Sequence, residues 1–296
     1  MLRGLQSIRD ATRPLRRRFS AIFKSPPPSI PGNYQTRSKA LIEEDVTTVL
    51  NIVADVRNLI AIHGLDPTTT NYLEIGPGSN FGAPVILAET LASVALVDRW
   101  MAPWDRDFHP AFYGELRKRW PEPSSTLDAV IANGGYPTNM LRLIEEPAAA
   151  MSSVQSSSID ITYSNAVMEH VAEPADAIKE LARVSKPGAI GVHQIDFRDH
   201  SDFDRPLDHL LIGKRKWRAR RAATFCECGT QYRASEFERM FSVSGFSTRS
   251  SATLMADERY FSNFISHLRA NSRCSFKQWP EDDLRILSAR YEIVTG

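Results

Sequence analysis

The chain has 296 residues, of which 42% are hydrophobic, and its formal net charge is +1. This length fits one large domain or two small ones with an ordinary buried core. A nearly neutral charge gives no reason to expect a nucleic-acid partner, and we see no apolar run that is long enough to cross a bilayer. Three cysteines fit a reducing compartment better than a disulfide framework, and we interpret them as ordinary thiols.

The N-terminal segment, residues 1–32, differs in composition from the body of the chain, residues 33–296. Its basic residues far outnumber Asp10, and its apolar residues recur at helical spacing with an interruption at Pro14. This pattern predicts a basic amphipathic helix that contacts an anionic membrane surface. A transit peptide or a solvated extension would have similar chemistry, so both alternatives stay open. The following "SPPPSIPG", residues 25–32, predicts a stiff linker.

Strand and helix patterns alternate along the body of the chain. The predicted helices are 40–63, 81–92, 110–120, 174–184 and 233–245. The predicted strands are 71–76, 94–98, 140–146, 159–165, 189–197, about 247–254 and 285–294. Residues 121–139 look irregular, and Gly64 should end the first helix. The pattern predicts an α/β protein with a Rossmann-like, doubly wound, mostly parallel seven-stranded sheet, helices on both faces, and an N-terminal helical extension.

The turn after the first predicted strand contains two closely spaced glycines, Gly76 and Gly78, in "LEIGPGSNFG". A dinucleotide fingerprint would need the next glycine one residue earlier than Gly82. Asp98 follows Gly78 by twenty residues and ends the second strand, where a carboxylate can accept hydrogen bonds from both hydroxyls of a ribose. The pattern indicates a nucleoside site, although a plain turn and a solvated carboxylate remain alternatives.

Three segments carry a resemblance to a known family. They are "LEIGPGSN", "VALVD" and "SIDITYSNAVMEHVAEPADAIKELARVSKPGA". Together they resemble the class I S-adenosylmethionine-dependent methyltransferases. The closest likeness is to the bacterial small-molecule branch, in which the fourth strand leads into an "S-x-x-x-x-E-H-x-x-x-P" turn. The resemblance covers residues 70–200 well and the C-terminal part only in outline, and it implies S-adenosylmethionine as the cofactor.

The resemblance also implies a set of cofactor-binding residues. These are Glu74, Gly76, Pro77, Gly78, Asp98, Arg99, Glu146, Ser164 and Asn165. Glu74 would orient the glycine turn and the methionyl amine, and Asp98 would hold the ribose. Glu146 falls where the family contacts adenine. Ser164 and Asn165 would line the methyl-transfer site.

The polar run that follows the fifth predicted strand, residues 193–210, should face the methyl acceptor. His193 is the leading candidate for the base that takes a proton from the acceptor, with His200 second and Asp196 as the orienting carboxylate. A similar "H-x-I-D-x-R-D-H" occurs in methyltransferases that we associate with bacterial cell-surface glycan clusters. His193 could instead be a strand-end histidine satisfied by backbone, and His170 could be either structural or catalytic.

Missing motifs narrow the predicted chemistry. The fourth strand ends in "YSNA" rather than the Asp/Asn-Pro-Pro-Tyr/Phe of enzymes that methylate amino groups of nucleic acids, so a nucleic-acid substrate is disfavoured. No aspartate matches the metal-dependent catechol type, so we expect no magnesium and no other metal site. The favoured function is O-methylation of a small-molecule or glycan-type acceptor.

Within the body, residues 66–200 would form the cofactor half, and residues 201–296 would shape the acceptor site. We expect a cytoplasmic protein, with the N-terminal arm at the inner membrane face; the sequence does not indicate the oligomeric state. Two alternatives from other classes remain. One is a nicotinamide-dependent oxidoreductase on a related sheet, and the other is a non-catalytic nucleotide-binding protein of the same fold.

Overall fold

A seven-stranded sheet in the order β3-β2-β1-β4-β5-β7-β6 organises the chain. The strands are β1 Asn71–Ile75, β2 Ser93–Asp98, β3 Leu141–Glu145, β4 Ile159–Asn165, β5 Ser185–Asp196, β6 Phe246–Met255 and β7 Ile286–Thr295. Among the described strands, β7 runs in the direction opposite to the other six, so the predicted mostly parallel sheet is confirmed. The structure is a computed structural model that describes residues 37–271 and 274–296. The predicted N-terminal arm and linker, residues 1–32, lie outside the described residues.

Helices cover both faces of the sheet. They are α1 Ile42–His63, α2 Gly82–Leu87, α3 His109–Arg119, α4 Ser125–Asn133, α5 Pro174–Val184, α6 Lys214–Ala223, α7 Ala234–Val243, α8 Glu258–Ala270 and α9 Glu281–Arg285. Apolar side chains of α1 to α4 form the core on one face, and those of α5 and α7 form the core on the other. This is the layered arrangement that a mostly parallel sheet needs, because both of its faces must be buried.

The first helix is part of the protein core. Its predicted apolar stripe, which includes Val46, Val53 and Val56, is buried against the sheet. The helix ends at His63 because Gly64 takes the left-handed conformation at φ +63°. By length and composition alone, Lys39–His63 could cross a membrane, contrary to our estimate from the sequence. Its burial within the fold accounts for this apolar character.

Four parts of the secondary structure differ from the prediction. One is helix α6, which is absent from the predicted helices. Helix α4 occupies part of the segment that we expected to be irregular, with the Ser124 side chain capping its start and Gly134 ending it. Helix α2 is shorter than expected, because the chain turns after Leu87 to enter β2. Helices α8 and α9 fill the insertion between β6 and β7, where they form a third small core.

The strand order reverses between β1 and β4, which lie side by side in the sheet. The connections that leave these two strands pass to opposite faces of the sheet, and a crevice opens outside their carboxyl ends. The fold therefore places the glycine turn, the end of β2 and the end of β4 around one space.

Candidate functional site

A cavity of about 530 Å³ occupies this crevice. It is lined by the end of β1 and its glycine turn, by the end of β2, by the segment after β4 and by one side of α1. Most of the predicted cofactor-binding residues lie in its wall, namely Glu74, Gly76, Pro77, Gly78, Asp98, Arg99 and Asn165. Two of the nine, Glu146 and Ser164, are not among the lining residues.

Both glycines of the turn take left-handed backbone conformations, with φ of +65° at Gly76 and +71° at Gly78. A Cβ atom on Gly76 would lie only 2.4 Å from Cγ2 of Val167, which leaves no room for another residue. The two strands that flank the crevice can therefore approach closely at this point. Gly76 is therefore required by its contact with Val167 and by its backbone conformation, and Gly78 is favoured by its backbone conformation.

Glu74 ends the β1 wall of the cavity as a fully buried carboxyl group. Burial raises its pKa from 4.5 to about 7, although the Tyr72 hydroxyl, which donates a hydrogen bond of 2.8 Å, opposes this shift. In the described residues it forms no salt bridge. A buried carboxyl without a cationic partner suits a ligand that supplies a positive charge.

The raised pKa of Glu74 makes the free energy of unfolding depend on pH. Because its pKa is raised from 4.5 to about 7, its contribution to stability is complete below pH 4.5 and is lost as pH rises through 7. A pKa shift of this size corresponds to a contribution of about 3 kcal/mol to the free energy of unfolding. We expect Glu74→Gln to stabilise the ligand-free protein by up to about that amount at pH 8 and much less at pH 5. Urea unfolding at both pH values tests this, with the exposed Glu145→Gln as control; equal effects at the two pH values would contradict it.

Asp98 lies at the end of β2, where it is buried in the cavity wall. Burial raises its pKa to about 6, and the hydrogen bond from the backbone N–H of Trp100 to Oδ1, at 3.1 Å, partly opposes the shift. The neighbouring Arg99 forms a salt bridge of 3.1 Å with Glu227, and its guanidinium lies 3.9 Å from the Trp100 ring centre. Asp98 is thus an acceptor that faces the cavity, while Arg99 is held by protein partners.

The prediction for Glu146 needs correction. Its carboxylate accepts hydrogen bonds from Ser152 and Ser153, including the Ser153 backbone N–H at 3.1 Å, and so closes a surface loop. Those bonds hold the pKa of Glu146 below its usual range. The cavity wall at this place is formed instead by residues 147–149, a proline followed by two alanines. An apolar surface of this kind can pack against a flat heterocycle.

Ser164 and His193 form a hydrogen-bonded pair inside the protein. Both side chains are fully buried, with Ser164 Oγ 2.8 Å from Nδ1 of His193 and Thr162 Oγ1 3.3 Å from its Nε2. The imidazole stacks on Phe241 of α7, and burial lowers its pKa to about 3. Neither residue lines the cavity. His193 is therefore not placed to take a proton from an acceptor, because both ring nitrogens are engaged away from the cavity.

Asp196 and His200 lie behind the cavity wall and are not among the lining residues. Asp196 is held by Arg198 through both carboxylate oxygens. Burial raises the pKa of Asp196, but contacts with His200 and Arg198 outweigh this effect and leave it well below its usual range. The His200 ring instead packs against the ring of His170, with 4.8 Å between their centres. His200, the second predicted base, thus packs against another histidine, and Asp196 is bound to Arg198.

His170 is the histidine that lines the cavity. Its Nδ1 lies 3.1 Å from the carbonyl oxygen of Cys226, and because a carbonyl only accepts, Nδ1 carries the proton in this contact. Burial lowers the pKa of His170 below its ordinary 6.5; Glu227 opposes this shift and His200 reinforces it. A neutral ring in this tautomer has a free lone pair on Nε2, so it can accept a proton or bind a cation.

Some cavity residues had no distinct sequence signal. Helix α1 contributes Thr48, Val49 and Ile52, which look like ordinary positions of an amphipathic helix. Glu227 reaches the cavity from the segment after α6, more than fifty positions away from His170 in the chain. Their contribution depends on tertiary packing, which periodicity cannot reveal.

The chain matches the model of a methyltransferase domain family over residues 12–251. It belongs to this family. The resemblance to class I S-adenosylmethionine-dependent methyltransferases is thereby confirmed, and with it S-adenosylmethionine as the methyl donor. This finding sets aside the oxidoreductase and non-catalytic alternatives.

Several solved structures match this methyltransferase at low sequence identity. It is similar to the YcgJ protein from Bacillus subtilis, with 13% identity, a TM-score of 0.43, and coverage of 80% of this chain and 97% of that chain. It is also similar to phosphoethanolamine N-methyltransferase 2 from Haemonchus contortus in complex with S-adenosyl-L-methionine, with 12% identity, a TM-score of 0.42, and coverage of 77% and 49%. No curated protein matches the chain.

The cavity of the methyltransferase fits S-adenosylmethionine in its chemistry. Glu74 and Asp98 supply buried carboxyl groups for a cationic amine and for ribose hydroxyls, and residues 147–149 supply an apolar surface for adenine. The cofactor carries no phosphate, so the loss of one amide at Pro77 is of little consequence. These roles of individual residues remain predictions.

Proposed function

We propose that this methyltransferase transfers the methyl group to an oxygen atom of a small-molecule or glycan-type acceptor. The observation that carries the proposal is His170, an imidazole in the cavity wall with one nitrogen held by a carbonyl and a lowered pKa. An alcohol must lose its proton as the oxygen attacks, and a neutral imidazole assists this loss at ordinary pH. An amine acceptor in its neutral form has less need of such a group.

Methyl transfer is an in-line displacement, in which the acceptor oxygen attacks the methyl carbon opposite the sulfonium sulfur. The bond from sulfur to carbon breaks as the bond from oxygen to carbon forms, and S-adenosylhomocysteine leaves. The enzyme contributes mainly by holding the two reactants in line. His170 lies in the same cavity wall as the predicted cofactor residues, among them Asn165, which supports an acceptor position beside His170.

The proposal is tested by incubating the purified full-length protein with S-adenosylmethionine and panels of matched acceptors. The panels contain sugars or phenols on one side and the corresponding amines on the other. Formation of S-adenosylhomocysteine with hydroxyl acceptors, and a methyl ether in the product by mass spectrometry, is the expected result. Turnover with amines alone would overturn O-methylation and leave the methyltransferase assignment intact.

We also propose that the protein acts in the cytoplasm with its N-terminal arm on an anionic membrane surface. The support comes from the basic, amphipathic pattern of residues 1–24. Co-sedimentation should be stronger with vesicles that contain phosphatidylserine than with phosphatidylcholine vesicles. Replacing Arg16, Arg17 and Arg18 together by alanine should weaken it. Equal binding to both kinds of vesicle would contradict the proposal.

A further inference from the structure

Three potential metal ligands converge directly behind the acceptor end of the cavity. Glu169, His170 and His200 each offer one ligand atom, and these atoms lie within 4.8 Å of one another. Glu169 and His170 belong to the short turn Met168–His170 that follows β4, while His200 follows β5. Two neighbouring strand ends therefore bring together two imidazoles and one carboxylate.

Two atoms of this cluster lack the partners that their burial requires. Glu169 is fully buried, and in the part of the chain that the structure describes its Oε2 has no hydrogen-bond partner. The same holds for the buried Nε2 of His200. A buried polar atom without a partner destabilises the folded protein, and a charged one does so more strongly. Two such atoms in one cluster are suited to bind a shared ligand.

The nearby side chains do not supply the missing charge. Arg198 is committed to Asp196, and Arg221 donates to the main-chain oxygen of Glu169, at 3.0 Å, rather than to its carboxylate. Oδ2 of Asp196 lies 3.7 Å from Nε2 of His200, which is too far for a hydrogen bond. Within the described residues, no cationic side chain is thus bound to the Glu169 carboxyl group.

The surroundings of the cluster are those of a metal site. The backbone N–H of Asp196 donates to Oε1 of Glu169, at 3.3 Å, and the carbonyl of Cys226 holds the His170 ring. Contacts of this kind orient metal ligands and fix the tautomer of a histidine. Two histidines and one glutamate form a known donor set of catalytic zinc sites, which leave one coordination position open.

We propose that Glu169, His170 and His200 bind a divalent transition-metal ion of the zinc type. Imidazole nitrogens favour such ions over magnesium, which prefers oxygen ligands. Zinc bonds of about 2.0–2.2 Å require the ligand atoms to come within roughly 3.4 Å of one another, so the side chains must close around the ion. Because His170 lines the cavity, an ion held by this residue would lie next to the cavity and could activate an acceptor bound there.

The consequence for catalysis rests on the proposed function. An acceptor hydroxyl bound to the ion would lose its proton more readily, as water does on zinc. In that arrangement His170 acts as a ligand, and the ion carries the task of stabilising the acceptor oxygen. Metal binding itself does not depend on the identity of the acceptor.

The test is a calorimetric titration of the chelator-treated, full-length protein with zinc chloride. We expect one zinc ion per chain, confirmed by elemental analysis after gel filtration. Loss of a direct ligand in Glu169→Gln or in His200→Asn should weaken zinc binding by more than about 100-fold, because loss of an outer contact already costs 10- to 100-fold. A large excess of magnesium chloride should not displace the zinc.

Matched controls separate the site from other zinc-binding groups and from loss of the fold. His63→Asn removes an exposed histidine at the end of α1, and the double variant Cys226→Ala, Cys228→Ala removes both nearby thiols. Both should bind zinc as the parent does, and every variant should still bind S-adenosylhomocysteine.

Two results with the parent protein would overturn the proposal: the folded parent binds no zinc, or magnesium displaces the zinc. Two results with variants would also overturn it: Glu169→Gln and His200→Asn leave zinc binding unchanged, or the double cysteine variant loses zinc binding. Binding of zinc without O-methylation would refute the proposed function alone.

Discussion

Replacing Asp98 by alanine should weaken binding of S-adenosylhomocysteine by roughly 100-fold to 10,000-fold. The carboxylate at the end of β2 lines the cavity and is predicted to accept hydrogen bonds from both ribose hydroxyls. Each charge-assisted bond contributes about 1.5–3 kcal/mol, and 1.4 kcal/mol corresponds to a tenfold change in affinity. Calorimetric titration with S-adenosylhomocysteine measures the loss directly.

Glu145→Ala is the matched control for this variant. Glu145 ends the adjacent strand and pairs with Asp98 in the sheet register, yet it is exposed and does not line the cavity. Its replacement should leave the affinity nearly unchanged. An Asp98→Ala variant that folds and binds as well as the parent would remove Asp98 from the ribose site.

The affinity should also depend on pH through Asp98. Since burial raises its pKa to about 6 and the ionised form is the better acceptor, affinity should rise as pH increases from 5 to 7. One pH unit below the pKa leaves about a tenth of the groups ionised, which predicts up to about tenfold weaker binding at pH 5. Asp98→Asn should lose this dependence. Glu74, with a pKa near 7, adds a second step that a Glu74→Gln background removes.

Replacing His170 by asparagine should lower turnover by about 100-fold to 10,000-fold, the range for loss of a general acid or base. Because His170 is not one of the predicted cofactor-binding residues, S-adenosylhomocysteine affinity should change by no more than about threefold. The acid limb of the pH profile of kcat/KM should lie below pH 6.5 in the parent, since burial lowers the pKa of this histidine. That limb should shift or vanish in the variant.

His193→Asn provides the contrast. Its two hydrogen bonds, to Thr162 and Ser164, are internal, so we expect a loss of about 1–3 kcal/mol in the free energy of unfolding. Turnover per folded molecule should stay close to that of the parent. If His193→Asn abolished turnover in folded protein while His170→Asn did not, the assignment of the acceptor side would be reversed.

The sequence alone predicted the architecture and most of the residues around the glycine turn that line the cavity. Alternation of apolar strands and amphipathic helices is a local pattern, and it predicted all seven strands, although it missed the helices α4, α6, α8 and α9. The spacing of Gly76, Gly78 and Asp98 is fixed by chain connectivity, since each follows directly on a strand whose carboxyl end meets the same crevice. Such residues can be found without knowledge of packing.

Tertiary structure decided the acceptor side. His193 lies within β5, and His170 follows the neighbouring β4. A sheet that is covered on both faces buries either side of a strand, so period-two alternation cannot tell a cavity-facing histidine from a core one. Packing of α7 against the sheet places Phe241 on His193, while the Cys226 carbonyl, distant in the chain, fixes His170 in the cavity wall. These contacts join residues far apart in sequence, and only the folded chain brings them together.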